Sequence, residues 1–199
     1  MLSKAKIKLI QSLELKKKRR EERLFVAEGP KVVGDLLPYF TCRLIVASNS
    51  WLEQHPHIKA DEVIEATTDE LRKASFLKAP QDVLALFELP DYPTPDNISD
   101  KELCLALDDI QDPGNLGTII RVADWFGIRH IFCSIGTTDA YSPKTVQASM
   151  GAVARVQMHY VDLPQYLSAV RSNHPQTPIY GTVLEGSNIY NEPLSTSGI

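Results

Sequence analysis

The segment Leu105-Ala106-Leu107-Asp108-Asp109-Ile110-Gln111-Asp112-Pro113-Gly114-Asn115-Leu116-Gly117-Thr118-Ile119-Ile120-Arg121-Val122-Ala123-Asp124-Trp125-Phe126-Gly127 organises the rest of the chain around it. An apolar strand over Leu103 to Leu107 runs into acidic and amide residues, and Pro113-Gly114 turns the chain. Asn115 is suited to cap a helix and Gly127 to stop it, so the spacing predicts a helix over Leu116 to Phe126. At about 100° per residue, Leu116, Ile119, Ile120, Ala123 and Phe126 share the face that packs on a sheet. Gly117, Arg121 and Asp124 share another, which sets Arg121 beside a residue with no side chain.

Downstream the pattern is regular. A strand over Ile131 to Ile135 leads to a helix over Pro143 to Met150, capped by Ser142 and ended by Gly151. A strand around Val153 to Val161, a helix over Leu163 to Val170 and a strand over Ile179 to Leu184 follow. Strands alternating with helices predict a mostly parallel sheet covered by helices on both faces. Upstream, Pro90-Asp91-Tyr92-Pro93-Thr94-Pro95 opens a proline-rich linker over residues 91–101. Before it, short apolar strands at Leu24 to Ala27, Cys42 to Ala47, Val63 to Ala66 and Val83 to Leu89 alternate with helical segments. The fold class is therefore α/β in two units, a small one over residues 1–90 and a larger one over 102–199.

The 199 residues carry a net charge of −4, which conceals an asymmetry. Residues 1–31 hold ten Lys and Arg against four Asp and Glu, so the body of the chain is acidic and one end is basic. Much of that charge lies in Lys16-Lys17-Lys18-Arg19-Arg20-Glu21-Glu22-Arg23, expected to be one solvated helix or an arm. The three cysteines are far apart, with no CxxC pair, which argues against a disulfide framework and a zinc site and fits a reducing cytosol. His55 and His57 flank Pro56 with no third ligand, so no metal is expected. His130 and His159 read as structural. No apolar run approaches the roughly 20 residues of a membrane span.

The C-terminal ends of parallel strands are where open α/β sheets bind ligands. A glycine one turn before Arg121 would let a bulky polyanion approach the guanidinium. The competing reading pairs Arg121 with Asp124 on a wet surface. No GxGxxG follows the strand and no phosphate-cradling loop is present, which removes a nucleotide-dependent oxidoreductase.

Two long motifs, Gln111-Asp112-Pro113-Gly114-Asn115-Leu116-Gly117 through Arg121 and Asp124, and Tyr141-Ser142-Pro143-Lys144-Thr145-Val146 with Ala148-Ser149-Met150-Gly151-Ala152, carry a specific resemblance. Together they closely resemble the SpoU-type RNA ribose methyltransferases of the SPOUT superfamily, the TrmH family. Phe25-Val26-Ala27-Glu28-Gly29 and Ala79-Pro80-Gln81-Asp82-Val83 look like that family's substrate-binding domain. The resemblance implies methyl transfer from S-adenosylmethionine to a ribose 2′-hydroxyl in ribosomal or transfer RNA, by a cytoplasmic homodimer with a C-terminal trefoil knot. It implies catalytic roles for Asn115 and Arg121, and cofactor contacts at Thr182 and Leu184. A guanidinium with a pKa above ~12 is no base, so Arg121 is expected to grip a phosphate and stabilise the developing alkoxide.

The sequence departs from the family after Tyr190. The Gly-x-Glu and Ser-Leu-Asn segments that supply much of the cofactor pocket do not follow before Ile199. A fragment, or a truncation without catalysis, is the expectation, and a non-catalytic RNA-binding protein on the same scaffold is the alternative. RNA contacts are expected at Lys16, Lys17, Lys18, Arg19, Arg20 and Lys144, the last beside a helix start that favours an anion. Gln147 stands where the family often has arginine. Trp125 is expected to stack on a base or, in the preferred reading, to pack against a second subunit.

Overall fold

In the computed structural model, which describes residues 1–95, 102–183 and 185–199, the N-terminal strands are Leu24–Glu28 (β1), Cys42–Ala47 (β2), Glu62–Glu65 (β3) and Val83–Glu88 (β4). They form one sheet in the order β1-β4-β2-β3, antiparallel except for the β2–β3 pair. Their apolar residues are continuous because both faces are covered. Phe25 and Ala27, Ile45 and Ala47, and Val83, Ala85 and Phe87 point to one side. Val26, Leu44, Val46, Leu84 and Leu86 point to the other. On the second side lie the helices Lys4–Ser12 (α1) and Thr68–Ala74 (α5), the latter opened by a full Thr67–Glu70 capping box. The charged run forms a separate short helix, Lys16–Glu22 (α2), between α1 and β1. Pro30–Leu36 (α3) and Asn49–Gln54 (α4) complete this half on the first side.

The second sheet holds Leu105–Leu107 (β5), His130–Ser134 (β6) and Gln157–Val161 (β7), all parallel and in sequence order. Pro113–Trp125 (α6) and Pro143–Ser149 (α7) cover one face, and Leu163–Asn173 (α8) covers the other, where Tyr166 stacks on Phe132 at 4.4 Å. A single turn of 3₁₀ helix, Ala152–Ala154, precedes β7. The predicted alternation and the helices on both faces are therefore present. One core joins the halves: Phe25 of β1 packs on Tyr141 at 5.1 Å, and Leu116, Ile120 and Val146 share its cluster.

Two expectations are corrected. The strand over Ile179 to Leu184 does not form over residues 179–183, and Leu184 lies outside the described residues. Just before β5, Gly198 bridges Leu103 and accepts the Cys104 N–H at 2.8 Å, and Ile199 exchanges hydrogen bonds with Pro178 and Tyr180. Phe126, placed on the packing face by a straight helical count, is 74% exposed because the helix ends at Trp125 and its C-cap departs from helical geometry. Of the linker, residues 91–95 have no regular structure and 96–101 lie outside the described residues.

His159 is buried, with its Nε2 3.1 Å from His130 Nδ1. Burial first, and the neighbouring His130 second, pull its pKa from 6.5 down to about 4. Between those values the unfolded chain binds a proton that the folded one does not, so stability present above pH 6.5 is lost as the pH falls toward 4. His159→Phe is expected to flatten that loss, read as urea midpoints at about pH 7 and about pH 5; equal falls in both proteins would contradict it.

Candidate active site

The strand ends of β5 and β6 are tied together before α6 begins. Asp109, at φ +54°, donates its N–H to Ser134 Oγ at 2.9 Å, and Thr137 Oγ1 donates to Leu107 O at 3.3 Å. Gln111 Nε2 donates to Asp109 Oδ1 at 2.6 Å and to Gly136 O at 2.9 Å. These bonds fix the loop that delivers the first turn of α6 to the carboxyl end of the sheet.

Asp112, not Asn115, caps that helix. Pro113 pre-sets the first helical φ, which moves the start three residues earlier than expected. The Asp112 carboxylate accepts the Asn115 N–H at 2.8 Å, and Lys144 Nζ stands 3.5 Å from its other oxygen. The Asn115 hydrogen bond, followed by the Lys144 charge, holds the Asp112 carboxyl below its ordinary range. The Asn115 side chain is thus released from capping, exposed and without a hydrogen bond among the described residues. The signal for Asp112 was in the sequence, since an Asp immediately before a proline is a strong helix start.

Arg121 is exposed, and no described residue pairs with it. Its competing partner is engaged elsewhere: Asp124 accepts Arg155 Nε at 2.9 Å and Arg155 Nη2 at 2.6 Å. The wet Arg121–Asp124 pair is therefore not formed, and the guanidinium is free for a ligand. Six residues at 100° and ~1.5 Å each set Arg121 about 120° around the axis and about 9 Å along it from Asn115. The helix does not aim the two side chains at one point.

Gly117 does something other than expected. It is buried, and a Cβ there would lie 2.5 Å from Ala148 Cβ and 2.9 Å from the Ala148 carbonyl carbon. Its bare backbone admits α7, not a polyanion. Gly117→Ala should push the two helices apart and cost about 2 kcal/mol. A melting temperature equal to that of the unmodified protein would contradict this contact.

The basic run divides. Arg19 is buried, with its side chain 3% exposed and bonded to Asp139, so it leaves the set of expected RNA contacts. Lys16 Nζ sits 5.2 Å over the Tyr160 ring. Lys17 and Lys18 approach Glu21 at 3.8 and 2.7 Å, and Arg20 is exposed. Lys144 is 69% exposed beside Asp112. Thr182 is exposed and outside any ladder. Of the candidate residues, Asn115 and Lys144 meet at the Asp112 cap, Arg121 stands about 9 Å further along α6, and Lys16, Lys17, Lys18 and Arg20 lie on α2. Asp139, which orders the turn into α7, escaped the sequence reading because its partner lies 120 residues away.

Strand ends locked into a fixed loop, an acidic helix cap and an unpaired arginine on a doubly covered parallel sheet define the class, an α/β domain with a polar site at the carboxyl end of its strands. The SpoU rRNA Methylase family matches residues 102–197, and the MRM3-like substrate binding domain matches residues 4–85. The chain is 26% identical to the 23S rRNA (guanosine(2553)-2′-O)-methyltransferase RlmP of Bacillus subtilis, over 96% of this chain and 76% of that one. A solved structure of a putative RNA methyltransferase of the TrmH family from Porphyromonas gingivalis is 41% identical, with a TM-score of 0.87 over 98% of this chain and 76% of its own. The AdoMet-bound rRNA methyltransferase of Sinorhizobium meliloti is 32% identical, with a TM-score of 0.76 over 86% of this chain and 67% of its own. The chain belongs to the SpoU/TrmH family of RNA methyltransferases. It spans about two fifths of the length of the mitochondrial rRNA methyltransferases 3 that it also matches.

Proposed function

We propose that this protein methylates a ribose 2′-hydroxyl of ribosomal RNA, with S-adenosylmethionine as donor. The observation that carries the reading is the free guanidinium of Arg121 on the helix that follows a parallel strand, its alternative partner Asp124 being bound to Arg155. Such a group donates several hydrogen bonds to a phosphate or an alkoxide and holds its charge at every physiological pH. RlmP is named for 2′-O-methylation of a guanosine in 23S rRNA, which supports the same substrate class here.

The donor is assigned on family grounds. Of its two expected contacts, Thr182 is exposed and Leu184 lies outside the described residues. That exposure favours a second reading, a non-catalytic RNA binder on the same scaffold. Incubating the protein with ribosomal RNA, transfer RNA and methyl-labelled S-adenosylmethionine separates the two. Label in ribosomal RNA is expected, and RNA binding with no label in either RNA would establish the second reading.

Residues 1–90 form the RNA-binding unit, 91–101 the linker and 102–199 the catalytic unit. Val122, Trp125 and Phe126, 49, 85 and 74% exposed along one end of α6, form the contact of a homodimer. A cytoplasmic location is supported by three free, buried cysteines. Lys17, Lys18 and Arg20 supply sequence-independent affinity. Neutralising these three should lower the slope of log affinity against log salt by about 2, measured by RNA binding across a salt series. An unchanged slope would remove α2 from the RNA interface.

A further inference from the structure

A groove of about 630 Å³ is lined by Val26, Phe76 and Leu77 of the N-terminal half and by Pro113, Pro143 and Met150 of the second half. We propose that this groove receives one unstacked base of the RNA strand. The proposal rests on the RNA-methylating reading above and names where the strand is held.

The volume falls within the range of small-molecule sites, about 300–1,000 Å³, and suits a base with its sugar. Phe76 and Leu77 offer an aromatic and an aliphatic surface, and the Met150 thioether opposite is a soft partner for a π-face. The first wall is braced from below. Glu28 is buried, and its carboxylate accepts the Phe76 N–H at 2.8 Å and the Ser75 hydroxyl, while Leu77 N–H donates to Ser75 Oγ at 3.0 Å. Glu28 is thus a positioning residue for the wall. The Gln147 amide, also on the lining, carries both donors and acceptors and meets the edge of any base.

Charge sorts the parts of a nucleotide. Lys144, 69% exposed, supplies a cation for the backbone, whereas Glu14 and Glu28 on the lining repel a phosphate that enters. A base, which is uncharged and rich in N–H donors, meets no such penalty. The groove is also continuous with the candidate active site. Pro113 opens α6, Lys144 stands 3.5 Å from the Asp112 cap, and Asn115 follows two residues after Pro113. A base seated here holds its strand against the strand-end loop that presents the catalytic helix.

The test uses the full chain and two single-stranded heptauridylates, one with a central 2-aminopurine riboside and one abasic at that position. The expected result is quenching of 2-aminopurine on binding and at least about fivefold weaker binding of the abasic strand, since base–aromatic stacking contributes about 1–3 kcal/mol. Leu77→Trp fills the groove and Phe76→Ala strips its aromatic wall. In both, discrimination between the strands should fall to near unity while the abasic strand still binds. Equal affinity for the two strands in the unmodified protein, or discrimination unchanged in both variants, would overturn the proposal and leave the groove to another occupant. Methyl transfer to ribosomal RNA is followed in parallel. Transfer without base discrimination sinks the groove alone, and base discrimination without transfer sinks the enzymatic reading alone.

Discussion

Arg19→Ala should lower the unfolding free energy by about 3–5 kcal/mol, the usual effect of stripping one partner from a buried ion pair. The guanidinium is almost wholly enclosed. Its Nη1 donates to Leu13 O and Glu14 O at 2.7 Å each, and Nε and Nη2 donate to Asp139 Oδ2 at 3.1 and 2.6 Å. Truncation leaves two carbonyl groups and Oδ2 of a mostly buried carboxylate without the guanidinium that they meet. The other Asp139 oxygen accepts the Tyr141 N–H at 3.0 Å, and its carbonyl accepts Thr145 Oγ1, so this residue also shapes the turn into α7. Arg19→Lys keeps the charge but loses the planar fork that meets three acceptors at once, and should recover less than half of the loss. A double-mutant cycle with Asp139→Asn, read from urea midpoints, should give a coupling above ~1.5 kcal/mol. Coupling near zero would mean that the pair does not hold the N-terminal helices to the catalytic unit.

Arg121→Ala is expected to do the opposite. It is an exposed side chain with no described partner, so its loss should move stability by no more than about 0.5 kcal/mol. Methyl transfer should nevertheless fall about 10²–10³-fold, the effect of removing one preorganised donor from a developing anion. Arg121→Lys restores the charge without the fork and should stay well below the unmodified rate. If the lysine variant transfers methyl groups at full speed, the guanidinium is not gripping RNA by its geometry.

The contrast between the two arginines shows where sequence reading stops. Arg121 was legible because a strand, a turn and a helix are local patterns, and a three-residue offset to Asp124 offered one clear alternative to examine. Arg19 sat in a run of like charges that reads as solvated surface, and only the fold brings Asp139, 120 residues later, against it. Asp112 and Asn115 competed for one cap, and Pro113 decided between them by fixing the first helical residue. Gly117 was read as room for a polyanion beside Arg121, whereas the fold fills that room with Ala148 of α7, a tertiary fact. The apolar run at Ile179 looked like a strand, but its neighbours pair with Ile199 instead, which donates to Pro178 O and accepts from Tyr180 N–H. Local periodicity placed the elements, and competition between distant segments settled their ends.

The position of the transferred methyl group tests the account most directly. Ribosomal RNA labelled by this protein from methyl-labelled S-adenosylmethionine is hydrolysed in alkali, which cleaves every linkage next to a free 2′-hydroxyl. The account predicts label in a single alkali-resistant dinucleotide, and its disappearance with Arg121→Ala. Label recovered in base-methylated mononucleotides, or an unchanged yield from the variant, would contradict it.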